Sequence, residues 1–211
     1  MLTNSSFPKA ELIANYDYLS DQALAINGIY SLVTGIEVMF SELIIEMIQK
    51  YPNKLPGNRK IEISKILNCE TLESVHIVAA QSFIRDLTYK SPKEFADSVE
   101  NIFNLNLLEV AQFQKYIEIK ATRDIFIHNQ GITNEIYVLK AGSLSRARAG
   151  EVLPINNNYF LQSYETCIQL TEFLRDHLHD KWHSPENEKW KQQFKENSNP
   201  INPSSPPHQQ V

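Results

Sequence analysis

Glycine, cysteine and tryptophan are scarce in this chain of 211 residues, which contains 6, 2 and 2 of them. The two cysteines, Cys69 and Cys167, lie far apart, so a disulfide framework and a zinc-finger spacing are both excluded. We expect each to be a small buried hydrophobic residue. The glycines form no phosphate-binding loop, because Gly142 and Gly150 flank a segment too loose for a nucleotide fingerprint.

Long apolar runs and an excess of basic residues are also missing. No apolar stretch reaches the roughly 18 residues that a transmembrane helix needs, and the N-terminus lacks the basic start and apolar run of a signal peptide. The expected location is therefore the cytoplasm, with no membrane partner. The net charge is −5, so a nucleic-acid partner would need a local positive patch.

Apolar residues recur at intervals of three and four along most of the chain, and no segment alternates as a strand does. The sequence predicts an all-α helical bundle with a long N-terminal helix over 8–50 and a break or kink near Asn27–Gly28, because glycine weakens a helix by roughly 1 kcal/mol. Further helices are predicted over 61–67, 71–89, 92–103, 133–140 and 157–182, and one of about 25 residues starts near Asn104. Gly131 is expected to cap, with a positive φ, the helix that starts near Asn104.

The last segment of the chain differs in composition. From His183 onward it is charged and then rich in Pro, Ser, Asn and Gln, so it cannot bury enough apolar surface to order itself. We therefore predict a helical domain over 8–182 and a flexible tail over 183–211. His179 and His183, four residues apart, suggest either a metal site or a polar helix end, and the helix end is preferred because no third ligand is implied. No metal or cofactor is predicted.

The segment "ATRDIFIHNQG" places Arg123 and His128 near a predicted helix end. Arginine binds phosphate in a bidentate manner, and histidine transfers protons near neutral pH. Five residues of α-helix rotate by roughly 140°, so the two side chains converge on one anion only if the last turn tightens. The alternative is an ordinary helix end, where cations are common.

The stretch "RDIFIHNQGITNEIYVLKAG" resembles the signature region of the HEPN superfamily (higher eukaryotes and prokaryotes nucleotide-binding domain). "SLVTGIEVMFSELI", with Glu37, is similar to the long N-terminal helix of that family. The resemblance covers about residues 20–182 and implies a small all-α bundle. Arg123, Asp124 and His128 match the family's arginine, polar residue and histidine at the shortest spacing.

The resemblance implies a metal-independent endoribonuclease that acts as a toxin or defence effector. It would cleave RNA by attack of a 2′-hydroxyl of the RNA on the adjacent phosphate. The active site would form between two protomers of a homodimer, and a cognate antitoxin is a further implied partner. Arg123, His128 and Asp124 are the candidate catalytic residues, and Asn129, Arg146 and Arg148 are candidate substrate contacts. Ile125, Phe126 and Ile127 are expected to bury the surrounding helix face against the core or the partner.

Two other interpretations stay open. Many nucleolytic members have Asn where this chain has Asp124, and the family includes inactive members. In the first interpretation, the chain is a non-catalytic HEPN-like dimer that serves as a binding or scaffold module. Alternatively it is an unrelated helical interaction domain in which Arg123 and His128 are structural.

Overall fold

The structure is a computed structural model, and it describes residues 8–57, 60–88 and 90–181. These residues are mostly helical, and they contain no β-strand beyond one isolated bridge between Ile132 and Val152. The predicted all-α bundle with a long N-terminal helix is confirmed. The α-helices in chain order are α1 (Lys9–Tyr18), α2 (Leu24–Lys50), α3 (Ile63–Leu67), α4 (Leu72–Thr88), α5 (Pro92–Phe103), α6 (Ala111–Asn129), α7 (Glu135–Ala141) and α8 (Asn157–Lys181).

The N-terminal helix runs without interruption from α1 into α2. A π-helical turn, Leu19–Ala23, joins them, and α2 continues through Gly28. The predicted break near Asn27–Gly28 is therefore wrong. Gly28 permits a close approach instead, since a Cβ there would lie 2.4 Å from Cε2 of Phe160. The missing side chain lets the start of α8 pack directly on α2.

The core lies between α2, α4, α5 and α6. The buried side chains of α2 recur at helical spacing and consist of Ala25, Ile29, Val33, Ile36, Phe40, Ile44, Met47 and Ile48. Phe40 meets Phe95 of α5 edge to face, with ring centroids 5.2 Å apart. Phe95 stacks in turn on Phe113 of α6 at 6.2 Å. Because α2 contacts both α4 and α6, it is the central helix that its apolar pattern predicts.

Capping residues set the limits of α5. The Ser91 hydroxyl accepts from the backbone N–H of Glu94, and the Glu94 carboxylate accepts from the backbone N–H of Ser91, which is a capping box. At the other end, Asn104 ends the helix with a left-handed φ of 55°. The prediction of a helix starting near Asn104 is wrong, because a 3-10 turn at Leu107–Glu109 precedes α6, which begins at Ala111.

Two consecutive residues with positive φ end α6. Gln130 has φ 53° and Gly131 has φ 82°, and the N–H of Gly131 donates to the carbonyl of Ile125 at 3.2 Å. The cap residue is thus Gln130, one position before the predicted glycine. Gly131 does have the predicted positive φ, and a Cβ there would lie only 2.9 Å from Cε1 of Phe126.

A small apolar core attaches α7 to the end of α6. The core consists of Ala121, Ile125, Tyr137, Ala141 and Leu153. The predicted start of α7 at Thr133 is wrong, because the side chain of Asn134 accepts from the N–H of Tyr137 at 2.9 Å and caps a helix that begins at Glu135. Thr133 lies buried in the preceding turn, where its hydroxyl donates to the carbonyl of Glu151 at 2.8 Å.

Contacts along the chain define two units, Met1–Thr171 and Glu172–Val211. The core and the sites described below belong to the first unit. The predicted tail over 183–211, with His183, lies outside the described residues and stays a prediction. None of the helices that the structure describes has the length and apolar character needed to cross a membrane.

Candidate active site

Arg123 lies on the face of α6 that is turned toward α2, in a row of alternating charges. Its Nη2 donates to Oε1 of Glu37 at 2.7 Å, and Nζ of Lys120 lies 2.7 Å from the same oxygen. On the other side, Nε of Arg123 lies 3.3 Å from Oδ1 of Asp124, and Nζ of Lys140 donates to Oδ2 of Asp124 at 3.4 Å. We call these five residues, Lys120, Glu37, Arg123, Asp124 and Lys140, the charge row.

The charge row fixes the position of the Arg123 guanidinium. The Arg123 side chain is 20% exposed and that of Glu37 32%, so solvent screens their attraction only in part. Nε of Arg123 is buried and has no hydrogen-bond partner among the described residues. Its contact with Asp124 is therefore a close ion pair without hydrogen-bond geometry, and Glu37 is the group that orients the guanidinium.

His128 does not meet Arg123 within one chain. α6 keeps α-helical geometry through Asn129, so the expected tightening of its last turn is absent. Five residues of regular helix place the two side chains roughly 140° apart around the axis. Arg123 is directed to Glu37, whereas the His128 side chain is exposed. A single protomer therefore does not bring this pair together on one phosphate.

Exposed apolar side chains occupy the segments next to His128. We call them the apolar patch, and their exposed fractions lie between 45% and 84%: Ile127, Ile132, Ile136, Leu139 and Val152. Ile132 and Val152 form the isolated bridge, and Ile136 and Leu139, three residues apart on α7, share one helix face. Ile125 is buried as expected, but Ile127 is not part of the core. Exposed apolar side chains that adjoin one another are candidates for a protein interface.

Asn129 and Arg148, two of the predicted substrate contacts, lie near the turn that follows α6. The side-chain amide of Asn129 donates to the carbonyl of Ile132, so Asn129 stabilises the turn. The backbone N–H of Arg148 donates to Oε2 of Glu151 at 2.8 Å, and its side chain is exposed. Of the two, only Arg148 presents an exposed side chain to solvent.

Arg146, the third predicted substrate contact, lies in a network around the buried carboxylate of Glu118. Its Nε donates to Oε1 of Glu118 at 3.0 Å, its Nη2 donates to Oγ1 of Thr122 at 2.9 Å, and its Nη1 donates to the carbonyl of Pro154. The guanidinium also lies 3.6 Å from the ring centroid of Tyr159, a cation–π contact. All three guanidinium nitrogens are thus engaged inside the protein, which does not favour a role in holding phosphate.

Three hydroxyl groups complete the hydrogen bonding of Glu118. Thr122 and Tyr137 donate to its Oε1 and Tyr159 donates to its Oε2, each at 2.8 Å. Glu118 is only 5% exposed, and a buried carboxylate is tolerated when it is paired and fully hydrogen-bonded. This network connects α6 to α7, to the loop before α8 and to α8 itself.

Burial in this network raises the pKa of two tyrosines. The pKa of Tyr159 lies well above its ordinary value of 10.0, first because the hydroxyl is buried and then because Glu118 is negative. The pKa of Tyr137 is also raised, chiefly by burial, although a hydrogen bond from the backbone N–H of Arg146 opposes the change. Both hydroxyls are therefore protonated donors at neutral pH.

This network was not predicted from the sequence. Glu118 was the one indication of it in the sequence, because an acid that lies between Ile117 and Ile119 in a buried helix needs partners. Nothing in the spacing of Tyr137, Arg146 and Tyr159 indicates that they meet it.

Among the described residues, no cluster of metal ligands adds to the site. Over residues 8–57, 60–88 and 90–181, no three His, Cys, Asp or Glu side chains lie together as they would around a metal ion. Cys69 and Cys167 are free thiols. Cys167 is buried as expected, whereas Cys69 is only half-buried.

Comparison with protein-family models, with curated proteins and with solved structures finds no match to this chain. The geometry itself defines an all-α protein in which an arginine fixed by carboxylates and an exposed histidine lie near the end of one helix.

Proposed function

We propose that this chain is a metal-independent endoribonuclease of the HEPN type, a toxin or defence effector that acts as a homodimer. One observation carries the proposal: α6 holds Arg123 in a fixed orientation and, five residues or about 1.4 turns later, leaves the imidazole of His128 exposed beside the apolar patch. A fixed cation suits phosphate binding. An exposed imidazole suits proton transfer to and from a substrate.

The proposed reaction needs two proton-transfer groups. One imidazole removes the proton of an RNA 2′-hydroxyl, whose oxygen forms a bond to the adjacent phosphorus. The bond from phosphorus to the 5′-oxygen breaks, and a second imidazole protonates the leaving oxygen. Arg123 stabilises the extra negative charge on the phosphorus centre. The products are a 2′,3′-cyclic phosphate and a 5′-hydroxyl.

A two-fold axis supplies the second imidazole. If the apolar patch of one protomer packs on that of another, each His128 lies next to the interface, and the mechanism requires that the two Arg123 side chains face the same cleft. Removing the exposed apolar surface of the patch from water drives this association. The same surface is available to a cognate antitoxin that holds the activity in check.

Cleavage is tested by incubating the purified protein with transfer RNA or total RNA in excess EDTA. We expect 2′,3′-cyclic phosphate ends from the wild type and none from His128→Ala or Arg123→Gln. Arg85→Gln is the matched control for the lost positive charge, because Arg85 is exposed on α4. Wild-type cleavage by His128→Ala contradicts the mechanism.

Dimerisation is tested separately by light scattering during size-exclusion chromatography. Leu139→Lys, at a position that is 84% exposed, should give a monomer that no longer cleaves RNA. Leu67→Lys is the control, since Leu67 on α3 is 77% exposed but lies outside the apolar patch. A Leu139→Lys protein that remains a dimer places the interface elsewhere.

A second candidate is a non-catalytic HEPN-like dimer that acts as a binding or scaffold module. The charge row favours it, because Glu37 and Asp124 already balance the charge of Arg123. Under this function the patch still mediates dimerisation, but RNA remains intact in every assay. A dimer without cleavage therefore selects the second candidate.

A further inference from the structure

A cavity of about 120 Å³ lies between α2, α4, α5 and α6, separate from His128 and the apolar patch. Its walls are apolar and include Phe40, Ile44, Leu87, Phe95, Phe113 and Ile117. A cavity of about 150 Å³ with a similar Leu, Ile and Phe lining remains dry and binds benzene. The interior therefore suits an apolar group about the size of one benzene ring.

Three lysines and one carboxylate also line this cavity: Lys90, Lys120, Lys140 and Glu37. Lysine covers apolar surface with its stem and keeps its ammonium group at the edge. The ammonium of Lys90 contacts a hydroxyl, donating to Oγ of Ser98 at 3.3 Å. The ammonium groups of Lys120 and Lys140 contact Glu37 and Asp124. Lys90 and the charge row together hold four cations and two carboxylates, and a third carboxylate, that of Glu94, interacts electrostatically with Lys90. The remaining excess of one positive charge favours an anion at this edge.

We propose that the cavity binds a small amphipathic anion, in which one ring-sized apolar group carries a carboxylate or a phosphate. The apolar group would lie in the cavity against the rings of Phe40, Phe95 and Phe113, which line it and contact one another. The anion would lie at the edge of the cavity, where Lys90 and Lys120 reach it. The site has an apolar interior and a cationic edge, so a ligand must carry both an apolar group and an anion to contact all of it. Binding does not require the ribonuclease activity.

Four probes separate the two halves of the site. Benzoate and phenyl phosphate combine a ring with each kind of anion, benzene is the ring alone, and inorganic phosphate is the anion alone. Titration followed by isothermal calorimetry or by shifts of methyl resonances should give tighter binding for at least one aromatic anion than for benzene. Inorganic phosphate should not bind at comparable concentrations. Whichever aromatic anion binds more tightly identifies the head group.

Cavity-filling and charge variants place the binding in this cavity. Ser41 lines it from α2 and donates to the carbonyl of Glu37, so Ser41→Phe should abolish binding of benzene and of both aromatic anions. Ser31→Phe is the matched control, because Ser31 makes the same type of bond to Asn27 on the exposed side of α2. Lys90→Gln should weaken the aromatic anions about tenfold and leave benzene unchanged.

Three results would overturn the proposal. Phosphate that binds as tightly as phenyl phosphate indicates a surface anion site. Aromatic anions that bind no better than benzene show that the lysines do not participate. Unchanged binding in a folded Ser41→Phe protein places the ligand elsewhere. If circular dichroism shows that Ser41→Phe does not fold, the comparison of Lys90→Gln with exposed Lys115→Gln on α6 decides.

Discussion

Arg123 and Glu37, which are 86 positions apart, are joined by a 2.7 Å hydrogen bond between Nη2 and Oε1 that connects α6 to α2. Lys120 shares the same carboxylate oxygen. One acid therefore holds two cations of neighbouring helix turns, and the arginine of the candidate site has a fixed direction before any substrate arrives. Such pre-positioning is what a phosphate-binding arginine needs.

Replacing this acid should loosen Arg123 and reduce stability modestly. Glu37→Gln keeps the shape of the side chain but removes its charge, so we expect a loss of about 1 kcal/mol in the free energy of unfolding by urea. Glu46→Gln is the control, since Glu46 lies exposed on the same helix, and its effect should stay within about 0.5 kcal/mol. Equal effects for the two variants would show that the bond contributes nothing measurable.

Two glycines of α2 give a matched pair for the packing of α8. A Cβ at Gly35 has no atom within 4 Å, whereas a Cβ at Gly28 overlaps the ring of Phe160. Gly35→Ala should therefore stabilise the protein by up to about 1 kcal/mol, which is the difference in helix propensity. Gly28→Ala should destabilise it, because the ring must move out of its packed position. Thermal unfolding measures both, and a stabilising Gly28→Ala would mean that Phe160 moves aside without cost.

The same two glycines show which features of the fold can be predicted from the sequence. The three- and four-residue periodicity predicted the long N-terminal helix, because a helix repeats its apolar positions along its own length. It wrongly predicted a break at Gly28, since the reason for that glycine is the ring of Phe160, 132 positions later in the numbering. Local patterns predict helices, but not the long-range contact that requires a glycine.

The candidate site, too, was predicted only in part from the sequence. Arg123 and His128 were found from one short segment, yet their partners were not, because Glu37 reaches Arg123 through tertiary packing. Arg146 was predicted as a substrate contact, but its side chain folds back onto Glu118. An arginine in a loop gives no sign of which buried acid it meets. Prediction from the sequence therefore found the candidate groups and missed what fixes them.

Arg146 and Arg148 should differ sharply in their effect on stability. Arg146→Gln leaves the buried carboxylate of Glu118 without its cation, and we expect a loss of about 3 kcal/mol, the lower end of the range for breaking a buried pair. Arg148→Gln, two residues later and exposed, should change the free energy of unfolding by less than about 0.5 kcal/mol. Urea unfolding at neutral pH provides the comparison. Similar values for both variants would mean that the network around Glu118 does not depend on its arginine.

Alkaline pH should lower the stability of this protein, because several of its ionisable groups are buried in their protonated form. Burial raises the pKa of Tyr116, Tyr137 and Tyr159, and raises that of the Cys167 thiol to about 11. These groups lose their protons more easily in the unfolded chain than in the folded one. Stability is therefore fully present below the unfolded pKa values and falls as pH rises from about 9 for Cys167 and about 10 for the tyrosines.

Tyr159→Phe tests which group is responsible. Phenylalanine cannot ionise, so this variant should be less stable at neutral pH, where it lacks the bond to Glu118, yet lose less stability on going from about pH 8 to about pH 11. Each deeply buried tyrosine contributes a slope of up to about 1.4 kcal/mol per pH unit above its unfolded pKa. Tyr164→Phe is the control, because Tyr164 is 49% exposed on the same helix and should leave the slope unchanged. A wild-type slope in Tyr159→Phe would assign the alkaline unfolding to Tyr116, Tyr137 or Cys167 instead.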